Sequence, residues 1–471
     1  MIFKTVQLQT ICKSVLSGGT PKRTNSEFYN NGTIPWIKTK EVNNNRIYAA
    51  ENYISELGLK NSSAKVIPKN SVLIAMYGNG DTAGRVAINK IPVSTNQACC
   101  NLIIDDSKAD YRYVFYYLRT QYQRLVDLKN GGAQQNLNAK TIKEYPFPWA
   151  PLYFQHLVSD FLESLDEKIL LNQQINLILE KMAQTLFKSW FVDFEPVKAK
   201  IAVLEAGGSQ ENATLAAMTA ISGKDADSLA ILEREHPGKY AELRATAELF
   251  PSAMQENESE EIPAGWFYTD LSCLALLNAS SWSKKNAPES LKYVDLANTK
   301  WGIIHSTEEF LFSDAPSRAR RILKPGDTIV GTVRPGNGSY AFVAEDGLTG
   351  STGFAVLTPK HDYFSLFIYI CATSKDNIER LAHLADGGAY PAVNADVVLS
   401  TPCIIPVDHN SSKNIIECFH HYVRELFAYN HSNLRQNKSL EQLRDTLLPK
   451  LLSGEITLPE AEELAKEADY V

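Results

Sequence analysis

One pattern of residues occurs twice in this chain, and that duplication limits the possible folds more than any other feature. Gly131-Gly132-Ala133, Asn138 and Pro146 return 256 positions later, type for type, as Gly387-Gly388-Ala389, Asn394 and Pro402. At the same offset Ile67-Pro68-Lys69-Asn70-Ser71-Val72-Leu73-Ile74 faces Leu323-Lys324-Pro325-Gly326-Asp327-Thr328-Ile329-Val330. Both stretches read as a turn entering a buried strand. Ser94-Thr95-Asn96-Gln97 faces Gly350-Ser351-Thr352-Gly353, and a short apolar strand follows each. Constant spacing across separated blocks marks a tandem duplication whose halves have diverged.

Downstream the offset becomes 261, so the second copy carries a small insertion. Leu179-Glu180-Lys181-Met182 then faces Leu440-Glu441-Gln442-Leu443, and Thr185-Leu186 faces Thr446-Leu447. The pattern here is helical. Val158, Leu165, Leu179 and Leu186 follow a seven-residue period, with Phe161, Ile175 and Met182 expected beside them. In the second copy Phe419, Leu426, Leu440 and Leu447 keep the period, with Tyr422, Tyr429 and Leu443. An asparagine interrupts each seam at the equivalent place, Asn172 and Asn433. A buried Asn costs stability but fixes register, since misalignment leaves its amide unpaired. Alternatively both are polar residues tolerated on a half-exposed stripe.

The fold class expected is α+β: two pseudo-symmetric mixed α/β domains separated by two long antiparallel coiled-coil helices. The first domain is expected over 1–151, a helix over 152–195, an insertion over 196–262, the second domain over 263–406, a second helix over 407–455 and an acidic tail over 456–471. Pro146, Pro148 and Pro151 punctuate one domain–helix join, and Pro402 and Pro406 the other. The insertion is Ala-rich, contains Gly207-Gly208 and ends in an acidic run from Glu256 to Glu261, so it reads as short helices and linker.

Length agrees, because 471 residues exceed one ordinary core. No apolar run reaches membrane-spanning length and Met1 to Thr10 lacks the apolar heart of a secretory signal, so no membrane association and a cytoplasmic location are expected. Seven cysteines without regular spacing are no disulfide framework, and Cys99-Cys100 is not zinc-ligand spacing. Buried, inert thiols and no metal are the expectation. The net charge of −7 counts against nucleic acid only if it is evenly spread. Instead acidic residues collect in the middle and tail, while both domains carry basic clusters.

Gly18-Gly19-Thr20-Pro21, Ile34-Pro35-Trp36-Ile37-Lys38 and Ser94-Thr95-Asn96-Gln97 together resemble a target-recognition domain of the specificity subunits of Type I restriction–modification systems. Gly350-Ser351-Thr352-Gly353-Phe354-Ala355-Val356-Leu357 resembles the other common version of that domain. The run from Thr185 to Phe194 is similar to the family's central region, and Thr446 to Gly454 to its distal one. The resemblance covers all but about residues 196 to 262. It implies a subunit with no activity alone, which binds double-stranded DNA and two copies of an adenine-N6 methyltransferase (M) subunit. Through those it would join motor/nuclease (R) subunits. It implies no cofactor in this chain, while the assembled complex uses S-adenosylmethionine, ATP and Mg2+. The target implied is two short, unlike half-sites around a fixed non-specific spacer.

Two homologous domains in one chain imitate a two-fold dimer, and dimers read half-sites at a spacing set by the protein. A helix from Leu157 to Trp190 would span roughly 50 Å at 1.5 Å per residue, against about 34 Å per turn of DNA. Helix length is thus expected to set spacer length. Asn and Gln pair bidentately with adenine, Arg and Lys with guanine. The candidate DNA-binding residues of the first domain are Lys22, Arg23, Lys38, Lys40, Asn79, Arg85, Asn96, Gln97, Gln134 and Gln135. Those of the second are Trp282, Lys284, Lys285, Asn286, Arg334, Asn337 and Tyr340, with Arg318, Arg320 and Arg321 suited to phosphates. The helix aromatics, among them Phe187, Trp190, Phe191, Tyr422 and Tyr429, exceed what a two-helix seam buries, so they pack on the domains or dock methyltransferase subunits. No catalytic residue is expected. A methyltransferase would need a Gly-rich loop after a strand and an Asn/Asp-Pro-Pro-aromatic tetrapeptide, and neither occurs. Asp193, Glu195 and Lys198 only loosely echo a nuclease. The rival reading is a stand-alone DNA-binding or coiled-coil adaptor protein with no methyltransferase partner.

Overall fold

The structure is a computed structural model that describes residues 3–78, 82–129, 136–256, 261–386, 388, 391–406 and 414–468. The chain divides into two compact units, one of Met1–Gln173 with Leu434–Val471 and one of Gln174–Asn433.

In unit 1 a five-stranded sheet runs in the order Cys12–Ser17, Cys99–Ile104, Val72–Ala75, Val86–Asn89, Asn45–Ile47, antiparallel except for the last pair. Its central strand is apolar at every position because both faces are covered. Val72 and Ile74 face one cluster with Tyr113, Phe115 and Leu162, while Leu73 and Ala75 face another with Ile37 and Val42. That is the two-residue period of a strand. A smaller sheet joins Tyr53–Ile54, Ile34–Ile37 and Ser94–Thr95, the last pair parallel. Strand Lys4–Gln7 pairs antiparallel with Pro146–Trp149, just before the first long helix.

Unit 2 repeats this topology. Ala275–Leu277, Phe354–Pro359, Thr328–Gly331 and Tyr340–Phe342 form an antiparallel sheet in that order. A second sheet runs Glu308–Leu311, Ser290–Val294, Leu348–Ser351, Ala319–Ile322, with the central pair parallel. Trp266–Asp270 pairs with Pro402–Pro406. Single hydrogen bonds also recur: Leu137 N donates to Met76 O at 3.1 Å, and Val393 N to Thr332 O at 3.0 Å. The turn before the central strand needs a left-handed residue in both, Asn70 (φ 64°) in one and Gly326 (φ 93°) in the other.

Two long helices carry the rest: α1 (Leu152–Phe191, 40 residues) and α2 (Ile415–Ser453, 39 residues). The first begins at Leu152, five residues before the Leu157 from which its span is reckoned above, because the prolines end at Pro151 and nothing after it breaks a helix. In each unit the helices pack antiparallel. In unit 1 Leu165 and Ile169 meet Leu440, and in unit 2 the Phe187 ring meets Phe419 edge-on, 5.9 Å between centroids.

The seam departs from the expectation on one of its two lines. Val158, Leu165, Leu440 and Leu447 are buried as expected, but Met182 is 52% exposed and Tyr429 64%. Their places are taken by Leu162, Ile169, Asn176 and Ala183 on α1, and by Val423, Asn437, Arg444 and Leu451 on α2. The reason is geometric: a seven-residue seam alternates steps of four and three, and the expected partner line lay one position off.

The 195–249 stretch forms four short helices that belong to a packed core. Helices Glu195–Glu205, Gln210–Ser222, Ala226–Glu235 and Pro237–Leu249 pack into the unit 2 core through Val197, Met218, Leu243 and Phe250. The buried Lys200 ammonium donates to Phe250 O at 2.6 Å. Among the described residues no helix is long and apolar enough to cross a membrane, and no cluster of three or more His, Cys, Asp or Glu could hold a metal. Cys99, Cys100, Cys371 and Cys403 are buried, and burial pushes the Cys100 and Cys371 thiols up to about 12.

Candidate nucleic-acid interface

In unit 1 the loops at one end of the five-stranded sheet converge. Gly18 N donates to Cys99 O, Met76 N to Ala98 O and Asn96 N to Ile37 O. The Gly-Gly pair is required by crowding: a Cβ on Gly18 would lie 2.0 Å from Asn96 O, and one on Gly19 2.1 Å from Ala64 N. Trp36 is buried beneath this crossing and donates its Nε1 to Gly19 O at 3.0 Å. Gly18-Gly19-Thr20-Pro21, Ile34 to Lys38 and Ser94 to Gln97 are therefore three segments of one local assembly.

The candidates on these loops are not equivalent. Lys22, Arg23 and Gln97 stand exposed. Lys40 is exposed but paired with Glu51, and Arg85 holds the side chain of Asn43. Lys38 is half-buried, donating to Asn52 Oδ1 at 2.8 Å with its ammonium 5.5 Å from the Trp36 ring. Asn96 keeps its Oδ1 buried with no hydrogen-bond partner, so it faces into the domain. Asn79, Gln134 and Gln135 lie outside the described residues.

In unit 2 the matching loops gather the same way: Trp282 N donates to Arg320 O, Thr332 N to Gly353 O and Arg334 N to Pro391 O. Lys284, Lys285, Arg334 and Asn337 are exposed. Asn286 is exposed too, but its carbonyl accepts from Ser283 N and Oγ, each at 2.7 Å, and so shapes the loop. Trp282 donates Nε1 to Thr349 Oγ1 at 2.9 Å. Tyr340 is only 8% exposed; burial and then Glu180 push its phenol up to about 12. Its ring is a core group. Of the three arginines assigned to phosphates, Arg318 is exposed. Arg320 lies 4.9 Å from the Phe312 ring, and burial pulls the Arg321 guanidinium below its ordinary value.

Asn172 and Asn433 are both buried in the helix seams. Asn172 donates to Asn437 and Gln436 in unit 1, and Asn433 to Asn176 in unit 2. The partners Asn176 and Asn437 escaped the sequence reading, although each follows its neighbour at the helical spacing of four. The helix aromatics mostly pack on their own unit: Trp190, Phe191 and Phe187 share one cluster with Trp266, Phe367 and Phe419.

A joint in unit 1 was also unforeseen. Asp166 accepts from Arg46 Nη1, Tyr116 OH and Arg444 Nη1, each at 2.7 Å. One carboxylate thus ties a sheet-edge strand, the helix Tyr111–Thr120, α1 and α2 together. Burial pushes it up, but Arg46 and Arg444 together hold it below the usual carboxylate range.

Residues 3–181 match the family described as the Type I restriction modification DNA specificity domain. The chain is 30% identical to the HindI Type I restriction enzyme specificity subunit of Haemophilus influenzae, over 90% of this chain and 94% of that one. It is 25% identical to the MjaIX specificity subunit of Methanocaldococcus jannaschii, over 94% and 92% of the two chains. A solved S subunit of a Type-I restriction-modification system from M. genitalium aligns at 16% identity over 95% of this chain and 96% of its own, with a TM-score of 0.49. Near-complete coverage of the HindI subunit at 30% identity, on a chain built twice from one topology, means that this protein belongs to the specificity subunits of Type I restriction–modification systems.

Proposed function

We propose that the chain reads a bipartite double-stranded DNA target, one half-site by each unit, and performs no chemistry itself. The observation that carries this reading is one topology used twice with unlike loops: Lys22, Arg23 and Gln97 on one copy, Lys284, Lys285, Arg334 and Asn337 on the other. Equal scaffolds with different exposed donors read different sequences in a similar pose. The buried asparagines are proposed to hold the register of α1 against α2, and the length of those helices to set the spacer in the DNA. Two methyltransferase subunits would dock on the chain and motor/nuclease subunits on those, with S-adenosylmethionine, ATP and Mg2+ used by the partners.

The test is an exchange of residues 1–151 for the corresponding part of a relative, followed by mapping of methylated adenines in cells expressing the chimaera and its methyltransferase subunit. One half of the recognised sequence is expected to change. Change in both halves, or no bipartite site at all, sinks the reading.

A further inference from the structure

We propose that Trp301 is a base-contacting wedge of unit 2, pressed against the bases of its half-site; the proposal rests on the DNA-recognition reading above. Strands Thr299–Lys300 and Ile303–Ile304 form a hairpin closed by the pair Lys300–Ile303, which leaves Trp301-Gly302 as a two-residue turn. Both turn residues have positive φ, 48° and 85°. That combination defines a type I′ turn, for which Asn-Gly is the favoured sequence. A bulky residue there is an outlier, and outliers of this kind persist where their surroundings over-determine them and cluster at functional positions.

Unit 1 supplies the comparison. There Asn45 lies opposite Ala87 in a parallel pair, and in unit 2 Gly302 bridges Ala341 in the same sense. The preceding residue is left-handed in both, Asn44 at 54° and Trp301 at 48°. The fold asks for a left-handed residue at this point. Unit 1 supplies the type that tolerates it, and unit 2 supplies the largest side chain available.

The surroundings hold that side chain firmly. Trp301 N donates to Gly338 O at 2.7 Å and Gly302 N to Tyr340 O at 3.0 Å. The Tyr340 ring meets the indole edge-on, 6.0 Å between centroids at 89°. Gly338 has no room for a Cβ, which would lie 2.5 Å from indole Cδ2 and Cε3. Lys300 is itself tied down, donating to Ser339 Oγ at 2.7 Å. Yet Trp301 remains 59% exposed. A clamped, projecting ring has already met its ordering cost in the fold, so little is lost when it binds. Its sequence neighbour Lys300 and the exposed Asn337 of the loop against it suit a polyanion edged with polar groups. Apolar wedges that enter between base steps have this form, and an aromatic contact to a base contributes roughly tenfold to a hundredfold in affinity.

The test uses the full chain with its methyltransferase subunits, as wild type, Trp301→Asn and Trp301→Phe. The probe is a duplex carrying the site mapped from methylated adenines, beside an unrelated duplex. Trp301→Asn creates the favoured Asn-Gly turn, so its thermal midpoint should equal or exceed that of the wild type. Its affinity for the mapped duplex should fall at least tenfold while the unrelated duplex is bound as before, and Trp301→Phe should keep most of the affinity. With 2-aminopurine placed along the half-sites, one position should change its emission when the wild type binds, and that change should be absent with Trp301→Asn. Equal affinity of Trp301→Asn for the mapped duplex overturns the wedge and leaves the recognition reading standing. A lowered midpoint assigns the ring to packing and also overturns it. If mapping yields no bipartite site, the recognition reading fails and the wedge falls with it.

Discussion

Asn172 donates its side-chain Nδ2 to Oδ1 of Asn437 at 2.9 Å across the two long helices of unit 1, and both amides are buried. Under the offset of 261 these residues become Asn433 and Asn176, which make the same bond at 2.8 Å in unit 2. Replacing one member strands the other in an apolar seam, so Asn172→Leu should cost about 1–3 kcal/mol. The double variant Asn172→Leu, Asn437→Leu should recover most of that loss, because two apolar side chains need no partner. A double-mutant cycle by denaturant unfolding measures the coupling. Additive single effects would remove the pair from any role in register.

Asp166 gives the second prediction. Burial raises its carboxyl pKa, but Arg46 and Arg444 depress it further, and the net direction is downward. A depressed carboxylate stabilises the fold fully above its unfolded value of about 3.9, and that contribution fades as pH falls through the lower folded value. The contribution of Asp166 to unit 1 should therefore be lost only below about pH 4. Asp166→Asn should destabilise it at neutral pH by about 3 kcal/mol, because two buried guanidinium groups lose a shared counter-charge. Its acid sensitivity should shrink correspondingly, as followed by thermal melts across pH.

The duplication, both long helices and the family were legible in the residues, because identical types at a constant offset and a seven-residue apolar period survive divergence. The second line of the seam was not. Aromatic and aliphatic residues such as Tyr429 and Met182 look like seam residues by type, while Asn176 and Arg444 do not, and only the packing decides. For the proposed interface, residue type gives the chemistry but not the burial: Lys38, Tyr340 and Trp282 carry suitable groups that are bound within the domain instead. Trp301 was hidden for the converse reason, since its significance lies in a backbone conformation that no side-chain pattern reveals.

Gly18→Ala is the third prediction. The added Cβ would meet Asn96 O at 2.0 Å and Thr95 Oγ1 at 2.4 Å, and the first of these is backbone that cannot swing away. Overpacking of this kind costs typically about 1–3 kcal/mol. The loss should appear as a lower melting temperature of unit 1 and as weaker reading of one half-site only. Unchanged stability would mean that the crossing of the Gly18 and Asn96 segments is looser than the geometry here.

Exposed cations and exposed amides on the same loops should fail in different ways. Lys22 and Arg23 stand in solvent on a loop that leads away from the crossing, where phosphate is the natural partner. Truncating either side chain should weaken binding to every duplex about equally. The slope of log affinity against log salt should also fall by about 1, as it does when one fewer phosphate is neutralised. Gln97 is exposed in the turn joined to the crossing, and an amide pairs with base edges rather than with charge. Gln97→Ala should therefore cost about 1–3 kcal/mol on the mapped duplex alone, with the salt slope unchanged. Titrations of both kinds of variant over a range of salt separate backbone binding from base reading. A Gln97→Ala variant with weaker affinity for all duplexes alike would place that side chain on the backbone of the DNA instead of its bases.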